Sequence, residues 1–366
     1  MPNRLVSCDW RKPCAFPLLR SFLREINADW LTASFFPPVL FRDRPFALET
    51  LATSTRKRYS TLWTTFVSLA LDRSFPPLPI DPLHFEAVIS DFAAEKKSTS
   101  VVSAMVAAVN HFHQLAGYSS PSLHPRVKLT LRGITRAYAK PVEHTMPLSS
   151  DMVKAGVTLL GDDLFRTSGF SESILRWRTI TAMVLSFASL GRYNCLSKLR
   201  MGDLFFYEDG VLITFPSSKT DQLGQGQPVF VARIRGSPFC PVLLLKAYTL
   251  RIQYEAFLQG QLPFLGHLFP AIRCRNGIAV FLGSAFSAQA ALKAFRDLLG
   301  EMGVPNPKSF SLHSGRRGGA TAAAMNGCDF LSIKRQGRWR SDACPQLYID
   351  EANMRRNNFS SYLGLM

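Results

Sequence analysis

The chain has 366 residues, with 43 Lys and Arg against 26 Asp and Glu and a formal net charge of +17. Its length suits about two domains of roughly 150 residues each, and 47% hydrophobic residues exclude wholesale disorder. The charge excess points to a polyanionic partner, nucleic acid first and an anionic membrane surface second, with charge kept only for solubility as the bland alternative.

Membrane insertion is not expected, because the longest apolar stretch, "ITAMVLSFASLG", falls short of the ~20 residues a spanning helix needs. The N-terminus, "MPNRLVSCDWRKPC", is broken by charge and has no signal-peptide core. Cys8, Cys14, Cys195, Cys240, Cys274, Cys328 and Cys344 form no CxxC pair and read as reduced thiols of an intracellular protein. There is no HExxH, and His111 and His113 would point to different sides of a helix. Neither a metal nor a cofactor is expected.

In chain order, residues 1–45 read as an N-terminal arm containing a short amphipathic helix (Leu19, Phe22, Leu23, Ile26, Trp30) and ending in the proline-rich bend "FFPPVLFRDRPF". From Ser54, Tyr59, Leu62, Trp63, Phe66, Val67 and Ala70 recur on one helix face. "PLHFEAVISDFAAEKK" predicts a second helix burying Phe85, Val88, Ile89 and Phe92, and "STSVVSAMVAAVNHFHQLAG" a third, capped by serine or threonine and closed by Gly117. A fourth, "HPRVKLTLRGITRAYAKP", carries Lys128, Arg132, Arg136 and Lys140 at four-residue spacing, with no acid between His124 and Pro141. Either this is a solvated charged face or its cations contact phosphates; the missing acid keeps the second reading open. These helices predict an all-α unit over 46–142, followed by a linker at "AKPVEHTMPLSSD".

The remainder, 146–366, reads as mixed. "SILRWRTITAMVLSFASLG" predicts a long apolar helix, and "GVLITFPSSKTDQLGQGQPVFVARI" two strands around a polar turn. "CPVLLLKAYTLRIQYEAF" is a helix with Pro241 near its start. Further helices open at Ser287 and at "DFLSIKRQG", and a last one holds Tyr348. The fold class is mainly α with a small antiparallel sheet.

Arg192 follows a buried helix and a glycine, and is either a surface residue or an anion ligand on a rigid element. Lys219 sits at a hairpin tip, from which an ammonium can reach outward. In "SLHSGRRGGATAAAMNG", His313 and Arg316 lie three residues apart at a helix start and face the same way. The free N–H groups there favour an anion, Arg316 can present a bidentate fork, and a histidine can exchange a proton beside it. The alternative is a capping histidine beside a solvated arginine. The small residues Gly318 to Ala324 read as a packing surface.

Arg192, Lys219, His-Ser-Gly-Arg at 313–316, Gly-Arg-Trp at 337–339 and Tyr348 fall in an order and spacing that resembles the tyrosine recombinase, or phage integrase, family. Leu196, Leu199 and Asp203 extend the likeness of the first box. The phrase "HSGRRGGATAAA…KRQGRWRSD…YI" is most similar to recombinases of eukaryotic DIRS-like and crypton mobile elements. One departure is Cys195, where members usually carry Glu or Asp, which puts catalytic vigour in doubt. Trp339 stands where histidine is commoner.

The resemblance implies a helical core-binding domain (46–142) and a catalytic domain (146–366). It implies attack by Tyr348 on a DNA phosphodiester, giving a 3′-phosphotyrosine and a free 5′-hydroxyl. Arg192 and Arg316 would stabilise the charge on the phosphate, His313 would be the base or proton relay, and Lys219 the acid for the leaving oxygen. Trp339 would hold a non-bridging oxygen and pack against the tyrosine's helix. Double-stranded DNA is the implied partner, a homo-tetramer the synaptic assembly, and the nucleus the location. The competing readings are an inactive, domesticated DNA-binding protein, for which Cys195 speaks, and a type IB topoisomerase.

Overall fold

In the computed structural model, residues 51–140, 145–161, 171–216, 227–261, 263–275, 278–343 and 345–348 are described. The expected N-terminal arm, the hairpin turn with Lys219, and the residues after Tyr348 lie outside them. The chain splits into two compact units, Met1–Val142 and Glu143–Met366.

In the first unit, helix α1 (Thr53–Leu71) is rich in Ser and Thr. Ser60, Thr61, Thr64 and Thr65 donate their hydroxyls to the carbonyls four residues before, so the polar groups are satisfied within the helix. Trp63, Phe66, Val67 and Ala70 are buried, as their spacing predicts. Helix α2 (Pro82–Lys96) starts at Asp81, whose carboxylate accepts from the N–H of Leu83 at 2.8 Å and of His84 at 3.4 Å. Pro82 is harmless in that first turn, because its missing N–H would have no helical partner.

Helix α3 (Thr99–Leu115) is followed by Gly117 at φ 83°. Its two histidines diverge as expected. His113 is buried, its Nε2 accepting from Ile80 N–H at 3.1 Å and its Nδ1 facing the Val109 carbonyl at 2.8 Å. His111 instead packs against the ring of Tyr59.

Helix α4 (Pro125–Ala137) buries only Val127 and Ile134. Lys128, Arg132 and Arg136 are exposed along it. The helix ends before Lys140, so the expected four-member stripe is a three-member stripe with Lys140 exposed beyond its end. Tyr138 caps the last turn with a non-helical backbone, and that breaks the periodicity the sequence suggested.

The second unit opens where a linker was expected, and residues 145–148 are part of its packing. Met146 N–H donates to Ser309 at 3.1 Å, Leu148 N–H donates to Ser314 at 3.0 Å, and Leu148 is 1% exposed. Helix α5 (Ser150–Thr158), which sequence periodicity did not reveal, follows with Ser149 as its N-cap. The long apolar helix α6 (Ser171–Ser189) forms the centre of the unit, packing against the later helices over Pro241–Phe257 and Ser314–Met325.

After the single-turn helix α7 (Tyr193–Leu196), strands β1 (Leu204–Phe206), β2 (Gly210–Phe215) and β3 (Gln227–Ala232) form an antiparallel meander. Ile213 pairs with both Leu204 and Val229, and Val211, Ile213 and Phe215 alternate into the core. Helix α8 (Pro241–Phe257) precedes a second hairpin, β4 (Pro270–Arg275) and β5 (Ile278–Ala285), absent from the sequence reading. Then come α9 (Ala288–Glu301), α10 (Ser314–Met325) and α11 (Phe330–Gly337). The second unit therefore has the expected class, mainly α with small antiparallel sheets.

Candidate active site

The quoted small-residue stretch becomes helix α10, and its glycines explain how it sits. A Cβ on Gly318 would collide with the backbone of Leu148, and one on Gly319 with the carbonyl of Phe187 on α6. Without those carbons α10 settles directly on α6 and on the segment before α5. That close approach places Arg316, on the same helix, at the end of α6.

Arg316 is 3% exposed. Its guanidinium donates to the carbonyls of Leu190 and, at 2.8 Å, Gly337, and lies 4.0 Å from the Trp339 ring centroid. The two carbonyls belong to chain ends, just after α6 and at the close of α11, so one side chain ties together the two loops that carry Arg192 and Trp339. Burial first, then the neighbouring Arg192 and Arg338, push the Arg316 guanidinium down to about 9, which leaves it charged at neutral pH. Among the described residues neither it nor Arg192 is paired with a carboxylate. A buried cation without a counter-ion is costly unless an anion completes it.

Arg192 precedes α7 with an extended backbone (φ −74°, ψ 143°) and is half-buried. Leu190, two residues before, takes a left-handed turn at φ 50°, and this turn delivers the arginine toward α10. His313 is the residue before α10, and its side chain caps nothing. The imidazole is exposed yet crowded by protein on one side. That crowding, followed by Arg192 and Arg316, lowers its pKa from the ordinary value, so it is neutral and able to accept a proton at pH 7.

Trp339 is 7% exposed and joins Leu190, Ala320, Ala324 and Ile333 in a small apolar cluster against which Tyr348 packs. The Trp339 and Tyr348 rings lie 5.7 Å apart at 45°. Tyr348 is half-buried in a helical stretch and within electrostatic reach of Arg316. Trp339 is thus the floor beneath both Arg316 and Tyr348.

Five of the six residues named from sequence, Arg192, His313, Arg316, Trp339 and Tyr348, meet in one place; the sixth, Lys219, lies outside the described residues. The stripe on α4 belongs to the other unit. Asp203, part of the first box, is structural: its carboxylate accepts from Arg200 N–H at 2.8 Å. Arg317 donates to the Thr145 carbonyl at 2.9 Å.

Sequence reading missed Arg338. Its guanidinium lies 3.7 Å from the Phe215 ring centroid. Burial pushes it down to about 10, the Cys195 thiol opposing and Arg192 adding to that shift. The signal was present in "GRWR", where cations flank the tryptophan.

No family model matches the chain. It is, however, 26% identical over 310 residues to an integrase/recombinase xerD homolog of Selenomonas ruminantium, covering 84% of each chain. Its fold is similar to that of the XerH site-specific recombinase in a post-cleavage complex with difH substrate. That match has a TM-score of 0.54 at 14% identity and covers 93% of this chain and 88% of the other. The Tn1549 transposon integrase in complex with transposon right-end DNA gives the same TM-score at 14% identity, over 87% and 98% of the two chains. This relative and these structures are recombinases and integrases by name, and the likeness in fold extends over most of the chain.

The arrangement around α10 has a direct chemical meaning. A buried and a half-buried arginine, a neutral imidazole and a phenol converge where an anion would supply the missing negative charge. No group of three or more His, Cys, Asp or Glu able to hold a metal occurs among the described residues. No described helix is long and apolar enough to cross a membrane.

Proposed function

We propose that this protein is a tyrosine recombinase that cuts and rejoins double-stranded DNA through Tyr348, in the integration of a mobile element. The observation that carries this reading is the convergence of Arg316, Arg192 and His313 beside the Tyr348 ring, with no acid among the described residues paired to either arginine. Tyr348 Oη attacks phosphorus, its proton passing to neutral His313. The 3′-phosphate becomes esterified to tyrosine, and the 5′-oxygen departs with a proton from Lys219. Charge gathering on the non-bridging oxygens is met by Arg192 and by Arg316, which is already desolvated and fixed. Rejoining is the reverse, with the 5′-hydroxyl attacking the phosphotyrosine, so no external energy source is needed. Trp339 supports Arg316 and Tyr348 by packing.

The helical unit, 46–142, is read as the core-binding domain, with Lys128, Arg132, Arg136 and Lys140 contacting DNA phosphates. The likeness of "HSGRRGGATAAA…KRQGRWRSD…YI" to eukaryotic DIRS-like and crypton recombinases supports a eukaryotic element as the source of the chain and the nucleus as its place of action. A homo-tetrameric synapse follows from the same family reading.

A nicked suicide substrate carrying the element's own terminus tests the chemistry. Wild type is expected to form an SDS-stable adduct, and Tyr348→Phe none. DNA binding without any adduct from wild type would favour the inactive-binder reading, for which Cys195 speaks. An adduct persisting in Tyr348→Phe would remove this tyrosine as nucleophile.

A further inference from the structure

Arg338 occupies a backbone position that an arginine rarely takes. It closes α11 at φ 53° and ψ 45°, in the left-handed region where helix ends favour glycine. Its N–H donates to the Arg335 carbonyl at 3.0 Å, a bond that glycine would make equally well. The backbone therefore gains nothing from the side chain, and the reason for an arginine lies at its other end.

There the guanidinium lies over the Phe215 ring, at 3.7 Å from its centroid. Its Nη1 is buried with no hydrogen-bond partner among the described residues. A buried donor of a charged group left unpaired is among the costlier features a fold can carry. Arg192 and Cys195 lie within electrostatic reach of it, and Arg316 in turn feels Arg338, so three guanidiniums share one electrostatic neighbourhood. No carboxylate among the described residues pairs with any of them. Arg338 also lines a cleft of about 470 Å³ with Trp339, Lys334, Arg335 and Arg340. Of these, Lys334 is paired with Asp342.

We propose that Arg338 is a third phosphate-binding arginine of this site, its guanidinium held on Phe215 to meet a non-bridging oxygen of the scissile phosphate. The proposal rests on the strand-transfer reading above. It also gives Cys195 a sense. A carboxylate at that position would pair with a neighbouring guanidinium and draw it from the phosphate. A small thiol leaves Arg338 free, with aromatic stacking in place of the acid as its support.

The test compares wild type, Arg338→Gly and Arg338→Lys in single-turnover cleavage. One substrate carries an ordinary phosphodiester, the other a methylphosphonate at the scissile position, where a methyl group removes the non-bridging charge. On the phosphodiester, Arg338→Gly is expected to form adduct about 100-fold more slowly. On the methylphosphonate it should match wild type, because there is no charge left for Arg338 to meet. Arg338→Lys keeps the charge but not the fork and should fall between. Glycine suits φ 53°, so the variant should melt no lower than wild type.

An unchanged phosphodiester rate, or an equal loss on both substrates, would overturn the proposal and leave Arg338 a packing residue. Should wild type bind DNA but form no adduct, the covalent reading fails separately. The salt dependence of binding then decides for Arg338: a slope lower by about one in Arg338→Gly supports the phosphate contact, and an unchanged slope refutes it.

Discussion

On α4 of the helical unit, Lys128, Arg132 and Arg136 stand in solvent, whereas Arg316 on α10 is 3% exposed and bonded at both ends of its fork. The first arrangement costs almost nothing to fold and offers long-range attraction that salt screens. The second takes a guanidinium out of water and fixes it before any ligand arrives, which strengthens each contact inside and removes reorganisation when charge develops. On the function proposed above, one chain would use the same residue type for gathering a polyanion and for acting on one phosphate. Exposure separates the two uses.

The sharpest way to break this contrast is Arg316→Lys. A lysine keeps the charge but cannot hold the Leu190 and Gly337 carbonyls together while lying on Trp339. Adduct formation on the suicide substrate is expected to fall by about 10²–10³-fold, the scale of losing one fixed donor to a developing oxyanion. DNA affinity should change far less. A variant that cleaves within a few-fold of wild type would mean that burial and bonding of Arg316 serve folding alone.

A smaller effect compares two helical glycines. A Cβ at Gly318 meets the Leu148 backbone, while one at Gly133 on α4 meets nothing. Gly318→Ala should destabilise the protein by about 1–3 kcal/mol, since backbone must shift, and should slow cleavage by displacing Arg316 on the same helix. Gly133→Ala should stabilise it by about 1 kcal/mol, the helix propensity difference. Thermal melts of the two variants with opposite signs would confirm that α10 is set by close contact and α4 is not. Melts of the same sign would contradict it.

Much of this was legible because local rules were followed. The 3.6-residue rhythm of Trp63, Phe66, Val67 and Ala70, and Pro82 and Ser287 at helix starts, act within one turn and are visible without a fold. The order of Arg192, His313, Arg316, Trp339 and Tyr348 was legible as pattern, and chain-distant positions do converge. What sequence could not show was long-range. Leu148 looked like linker because its burial depends on Gly318, 170 positions away (318 − 148). Arg338 looked like surface because its support, Phe215, comes from another element. The hairpin of β4 and β5 was missed because "PAIRCR" and "IAVFLGSA" alternate too weakly, with Cys274 half-buried and Val280 exposed.

The gentlest prediction concerns the open face itself. Arg136 lies in the last turn of α4, where a cation complements the helix dipole, so its presence has a structural explanation. Lys128 lies near the first turn, where the dipole disfavours a cation, and no acid accompanies it there. Arg132 is mid-helix, exposed and outside either influence, which makes it the cleanest probe. If α4 contacts DNA phosphates, Arg132→Gln should lower the slope of log affinity against log salt by about one and weaken binding alike across sequences. Melting should be unchanged, because Arg132 pairs with no acid among the described residues. An unaltered slope would make the stripe a solvated face, and the burial contrast would then separate a catalytic arginine from an idle one.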